Sequence, residues 1–117
     1  MTVRGIRGAI TVEHNTKQEI IAATKQLLLK ILEENEIKIE EVASAIFSVT
    51  KDLNAEFPAA AAREIGWSNI PLLCTYEIDV PGSLPKCIRV LIHFNTEKSQ
   101  NQIKHVYLRE AKTLRRE

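Results

Sequence analysis

The sequence predicts an α+β fold: a mixed five-stranded sheet with helices on one face. Three observations predict it. Five short stretches are rich in apolar and β-branched residues, as strands are. One long stretch repeats apolar residues at helical spacing behind a capping signature. The resulting order is β-α-β-α-β-β-β, with no internal repeat, low-complexity segment or linker to break it. One domain spanning residues 1–117 is expected.

Val3 to Val12 reads as the first strand. Thr16-Lys17-Gln18-Glu19 is a capping box, in which the Thr16 hydroxyl and the Glu19 carboxylate satisfy free donors at a helix start. A helix from Lys17 to Asn35 follows, turning Ile20, Thr24, Leu27, Leu28 and Ile31 to the core. Its acidic end, Glu33-Glu34-Asn35-Glu36, slightly opposes the helix dipole. Val42 to Thr50 is the second strand, with Ala43, Ala45, Phe47 and Val49 on one face. Lys51 to Glu56 is a polar loop. Pro58 opens a short helix where a missing N–H costs nothing, and Gly66 closes it. Leu72 to Ile78 is the third strand. The turn Pro81-Gly82-Ser83-Leu84-Pro85 leads into the fourth, Cys87 to Phe94, and Ile103 to Leu108 is the fifth. Thr113 to Glu117 is charged and expected to be loose. Helices on one face leave the other without cover. Self-association into a small ring of subunits would supply it and put pockets between chains.

Composition narrows the function classes. At 44% hydrophobic and 26% charged, the chain reads as an ordinary soluble globular protein. A net charge of +1 and no long basic run give no field that favours nucleic acid or membrane, so an anion site must be built locally. No signal-peptide apolar region and no membrane-spanning stretch is present, which makes cytoplasmic residence the expectation. Cys74 and Cys87 form no CxxC pair; a buried thiol is the bland reading for each, and the favoured one for Cys87.

Arg89 is the residue that points to chemistry. It interrupts Cys87-Ile88-Arg89-Val90-Leu91-Ile92-His93-Phe94, which otherwise reads as a buried strand. A guanidinium there needs partners, and its planar fork suits a carboxylate. Arg7 has similar surroundings in Arg4 to Val12, sharing a strand face with Gly5 and Ala9, which leave room beside it. Two readings stand: a pocket for a small, multiply charged anion, or internal ion pairs. GxGxxG, P-loop and GxSxG motifs are absent. His14, His93 and His105 lack metal-ligand spacing, and Cys74 has no Cys–His signature, so neither a metal nor a cofactor is expected. Arg7, Arg63, Glu77, Arg89 and Tyr107 remain. Each has a bland alternative: ion pairing for Glu77, a core position for Tyr107, a surface charge for Arg63. Together they can bind and polarise an anion without proton transfer or a nucleophile.

At this point the chain resembles a family. RGIRGAITVE, DLNAEFPAAAARE followed by GW, CTYEIDVPGSLPKCIRV and QIKHVYL look like signatures of the monofunctional chorismate mutases of the AroH class, in the family's order from about Val3 to Leu114. The resemblance implies a sheet packed with helices, a pseudo-barrel homotrimer, and active sites in clefts between subunits. It implies conversion of chorismate to prephenate on the route to phenylalanine and tyrosine. Arg7 and Arg89 match the substrate-binding arginines, Arg89 being the candidate donor to the ether oxygen. Glu77 matches the acceptor for the ring hydroxyl, and these three form the expected catalytic set. Tyr107 matches a phenol that holds a substrate carboxylate, Cys74 a pocket thiol, Phe57 a residue near the ring, and Arg63 a basic residue at the entrance. Leu72, Leu73 and Leu114 complete the expected lining. The chain departs from the family at Ala60, where members can carry lysine, and by one residue fewer between Ile65 and Gly66. The rival expectations are a small trimeric imine or enamine deaminase and a non-catalytic module that binds an aromatic-pathway metabolite.

Overall fold

The computed structural model describes residues 1–114. Its strands are β1 (Thr2–Thr11), β2 (Val42–Val49), β3 (Leu72–Tyr76), β4 (Cys87–Thr96) and β5 (Val106–Tyr107), and its α-helices are α1 (Lys17–Asn35) and α2 (Ala59–Glu64). They form one mixed sheet in the order β3-β2-β4-β1-β5. β4 runs antiparallel to both β1 and β2, while β3 and β5 add parallel to β2 and β1.

The start of α1 follows from its caps, with one difference. The Thr16 hydroxyl accepts from the Glu19 N–H at 3.1 Å, as the capping box requires. The Glu19 carboxylate, however, reaches past Thr16 to the N–H groups of Glu13 and His14 at 3.1 and 3.0 Å. Thr16 N–H is already bonded to His14 O, so the carboxylate serves the donors before it. Ile20, Leu27, Leu28 and Ile31 are fully buried against Ile6, Ile10, Phe47, Ile88, Val90 and Ile92 of the sheet. Thr24 is buried too, and donates its hydroxyl to Ile20 O. α1 can lie this close because residue 8 is glycine. A Cβ there would stand 2.7 Å from Ile31 Cδ1 and 3.3 Å from Val106 O.

Four sequence expectations need correction. Ala43 does not join Ala45, Phe47 and Val49 on the core face but is exposed. A register irregularity between Val42 and Ser44 resets the alternation there. The third strand ends at Tyr76, not Ile78, with one further rung from Glu77 N–H to Val49 O at 2.8 Å. The fifth strand shrinks to Val106 and Tyr107. The Asn35 side chain occupies both the N–H and the C=O of Lys104, at 2.8 and 2.9 Å, so that residue cannot pair in the sheet. His105 lies just outside the strand, where its Nδ1 accepts the Arg7 N–H at 3.0 Å. The tail expected to be loose begins as the end of a 3-10 helix, Arg109–Leu114; its last three residues lie outside the described ones.

Both α-helices pack on one face of the sheet. Among the described residues, the opposite face is covered at one end, where Ala111 of the 3-10 helix joins Ala9 and Cys87, with Tyr107 and Leu114 beside them. Elsewhere it exposes apolar side chains, among them Ile46 and Leu73. No helix among the described residues is long and apolar enough to cross a membrane.

Candidate active site

Strand alternation carries the candidate residues to the open face in rows. Arg89 stands opposite Ser48 on one side and Ala9 on the other, and Ala9 in turn stands opposite Tyr107. Thr75 extends the row on β3, opposite Ser48. The next row on this face runs Leu73, Ile46, Leu91, Arg7. Arg7 is therefore one residue pair along from Arg89 and one strand over. Gly5 and Ala9 flank Arg7 on its own face, as strand periodicity dictates. Arg7, Arg89, Tyr107 and Leu114 line one cavity of about 320 Å³, floored by Ala9, Ile46 and Leu91.

Arg89 has an internal carboxylate, but a loose one. Its Nε lies 3.7 Å from Glu77 Oε1, with the two side chains 39% and 29% exposed. That nitrogen is itself buried and makes no hydrogen bond. The same Oε1 accepts the Ser48 hydroxyl at 2.6 Å. Glu77 thus leans over the sheet from the end of β3 toward β4, with Ser48 on the strand between them. Arg7 makes its hydrogen bond through its backbone N–H, to His105 Nδ1, and its guanidinium lines the cavity. Two cations and one carboxylate on an apolar floor make a local excess of positive charge in a chain with almost none overall.

The remaining expected residues lie elsewhere. Cys74 stands opposite Phe47, on the helix side of the sheet, and packs against the main core. Burial pushes its thiol pKa up, against weaker opposite pulls from the Ala59 N–H and the Arg63 guanidinium. Arg63 is therefore close to Cys74, on the exposed side of α2. Phe57, 66% exposed, lines a second cavity of about 340 Å³ with Cys74, Thr75 and Tyr76. Leu72 packs toward the core and Leu73 stands on the open face at 61% exposure. Phe57, Cys74 and Arg63 thus form a second cluster, separate from Arg7, Arg89 and Tyr107. Parity on β3 puts Cys74 on the opposite face from Arg89, and the two clusters line different cavities. Sequence reasoning passed over Ser48. The signal was there in the alternation of β2, whose Ile46 and Ser48 share the open face.

Comparisons with known proteins agree with this architecture. The family model for chorismate mutase type I matches residues 3–117. The chain is 58% identical over 114 residues to chorismate mutase AroH of Thermus thermophilus, covering 97% of this chain and 93% of that protein. It is 53% identical over 116 residues to chorismate mutase AroH of Bacillus subtilis (strain 168), covering 98% and 91%. A solved chorismate mutase structure from Clostridium thermocellum superposes with a TM-score of 0.92 at 55% identity, covering 93% of this chain and 97% of that one. Neither rival, the deaminase or the binding module, finds support in these matches. The chain belongs to the chorismate mutase type I family.

Proposed function

We propose that the chain isomerises chorismate to prephenate in clefts shared between the subunits of a homotrimer. The carrying observation is the open-face cluster of Arg7, Arg89 and Tyr107, with an arginine fork that Glu77 touches only at 3.7 Å. The reaction is a Claisen rearrangement: one C–O bond breaks as one C–C bond forms, in a single chair-like step. The protein needs only to select the compact diaxial conformer and to stabilise negative charge growing on the ether oxygen. Arg89 donates to that oxygen. Arg7 and Tyr107 hold substrate carboxylate, and Glu77 accepts from the ring hydroxyl. A 10⁶-fold acceleration requires about 8 kcal/mol. One fixed donor supplies roughly 3–4 kcal/mol of it, and orientation much of the rest.

The separation of the two clusters supports a shared site. Phe57, Arg63, Cys74 and Leu73 of one copy complete the cavity formed by Arg7, Arg89, Tyr107 and Leu114 of its neighbour. The apolar open face, with Ile46 and Leu73 exposed, supports burial against another subunit. Leu72, turned to the core, contributes through the backbone it holds. A single domain, a cytoplasmic setting, and chorismate as the small-molecule substrate complete the proposal. No metal, cofactor, nucleic acid or membrane enters the mechanism. The test is loss of chorismate absorbance, run first on the parent chain. Arg89→Ala and Phe57→Ala, each assayed alone for its loss, are then unfolded together, refolded and assayed. Recovered activity fits sites built from two chains. A stable active monomer by sedimentation equilibrium, or no turnover by the parent, overturns the proposal.

A further inference from the structure

We infer that Ser48 is a positioning residue for the reaction: its hydroxyl keeps the Glu77 carboxylate off Arg89 and presents it to the substrate. This rests on the reading of Glu77 given above. An ionised carboxylate can only accept, so the 2.6 Å contact is the Ser48 O–H donating to Oε1. Its length is that of a charge-assisted bond. Glu77 is anchored by its backbone as well, through its N–H on Val49 O, the residue after Ser48. Both attachments are to the end of β2. With one oxygen turned onto Ser48, the second makes no hydrogen bond among the described residues and can accept from a ligand.

The geometry of the strands gives Ser48 this position. β3 and β4 flank β2 on either side, so side chains on them start roughly 10 Å apart, two strand spacings. Glu77 and Arg89 are long enough to meet above the strand between. An arginine and a carboxylate left alone in a partly dry site close to a two-point bridge near 2.8 Å. Here the gap is 3.7 Å, and Arg89 Nε makes no hydrogen bond. A closed bridge would neutralise the fork that the ether oxygen needs and would occupy the oxygen that the ring hydroxyl needs. Ser48, directly opposite Arg89 in register, competes for Glu77 and holds the pair open.

The test is a double-mutant cycle on the oligomeric enzyme, with thermal unfolding run alongside. Ser48→Ala in the parent lowers kcat/KM about tenfold, or about 1.4 kcal/mol. In a Glu77→Ala background the same substitution changes kcat/KM by less than about twofold, because its effect runs through the missing carboxylate. Ser48→Thr, which keeps a hydroxyl on the same Cβ, recovers most of the loss. Equal losses in both backgrounds, or a parent-like Ser48→Ala, overturn the inference. If Glu77→Ala alone turns over like the parent, the role of Glu77 falls instead. A crystal structure of Ser48→Ala then decides about Ser48 separately. A carboxylate closed onto Arg89 supports it, and one that has not moved refutes it.

Discussion

Arg89→Lys keeps a positive charge on β4 and removes the fork. The structure separates its effect on folding from its effect on rate. At 3.7 Å and an effective dielectric of about 20, the gross attraction between Arg89 and Glu77 is about 4 kcal/mol. Both side chains are open to solvent, at 39% and 29%, so the net contribution falls to about 1 kcal/mol or less. Glu77 keeps its Ser48 bond in the variant and is not stranded. The fold should therefore survive both Arg89→Lys and Arg89→Ala. Catalysis should not. Losing a fixed donor to the ether oxygen costs roughly 3–4 kcal/mol, or about 10²–10³-fold. Lysine offers a flexible point charge that cannot hold the ether oxygen and a carboxylate in one plane. The loss should fall mainly on kcat, because the oxygen gains its extra charge only in the transition state. Steady-state chorismate consumption, paired with thermal unfolding, measures both effects. A nearly parental Arg89→Lys, or a rise in KM alone, would refute the reasoning and reduce Arg89 to an anion anchor.

Gly8→Ala should cost about 1–3 kcal/mol of stability in urea unfolding. Its Cβ meets Ile31 Cδ1 at 2.7 Å, and Ile31 is fully buried with no solvent to move into; an unchanged midpoint would show that α1 yields freely. Cys74→Ser should keep most activity, since the reaction uses no nucleophile. Burial raises the Cys74 pKa, so less thiolate is present at a given pH, and iodoacetamide should react more slowly than with a free thiol. A covalent substrate adduct on Cys74 would sink the mechanism. The His14 ring bond, with backbone N–H bonds behind it, lowers the Glu19 pKa below its ordinary 4.5. A lowered folded value stabilises above the ordinary one, and that contribution is lost as pH falls through the folded value. Stability curves of the parent and Glu19→Gln should therefore converge in acid, and a constant gap down to acid pH would contradict this.

What was legible in the sequence was local or periodic. The apolar spacing and the Thr16 cap defined α1 from Lys17 to Asn35 at both ends, because a helix answers to contacts three and four residues away. Strand alternation put Arg7 on a face with Gly5 and Ala9. An arginine inside an apolar strand marked Arg89 as a residue in need of partners, and Glu77 stands 3.7 Å from it. The motifs carried the family.

Tertiary structure alone decided the rest, because it depends on residues distant in the chain. Asn35 closes off Lys104 across 69 positions and so limits β5 to two residues. A register irregularity against β4 turns Ala43 outward. Strand order brings Ser48, Arg89, Ala9 and Tyr107 into one row from four different strands. Parity on β3 sends Cys74 to one face and Thr75 to the other, which splits the expected site in two. Sequence spacing names the candidates for a charged site. Only the pairing of strands determines which of them share a face and which stand apart.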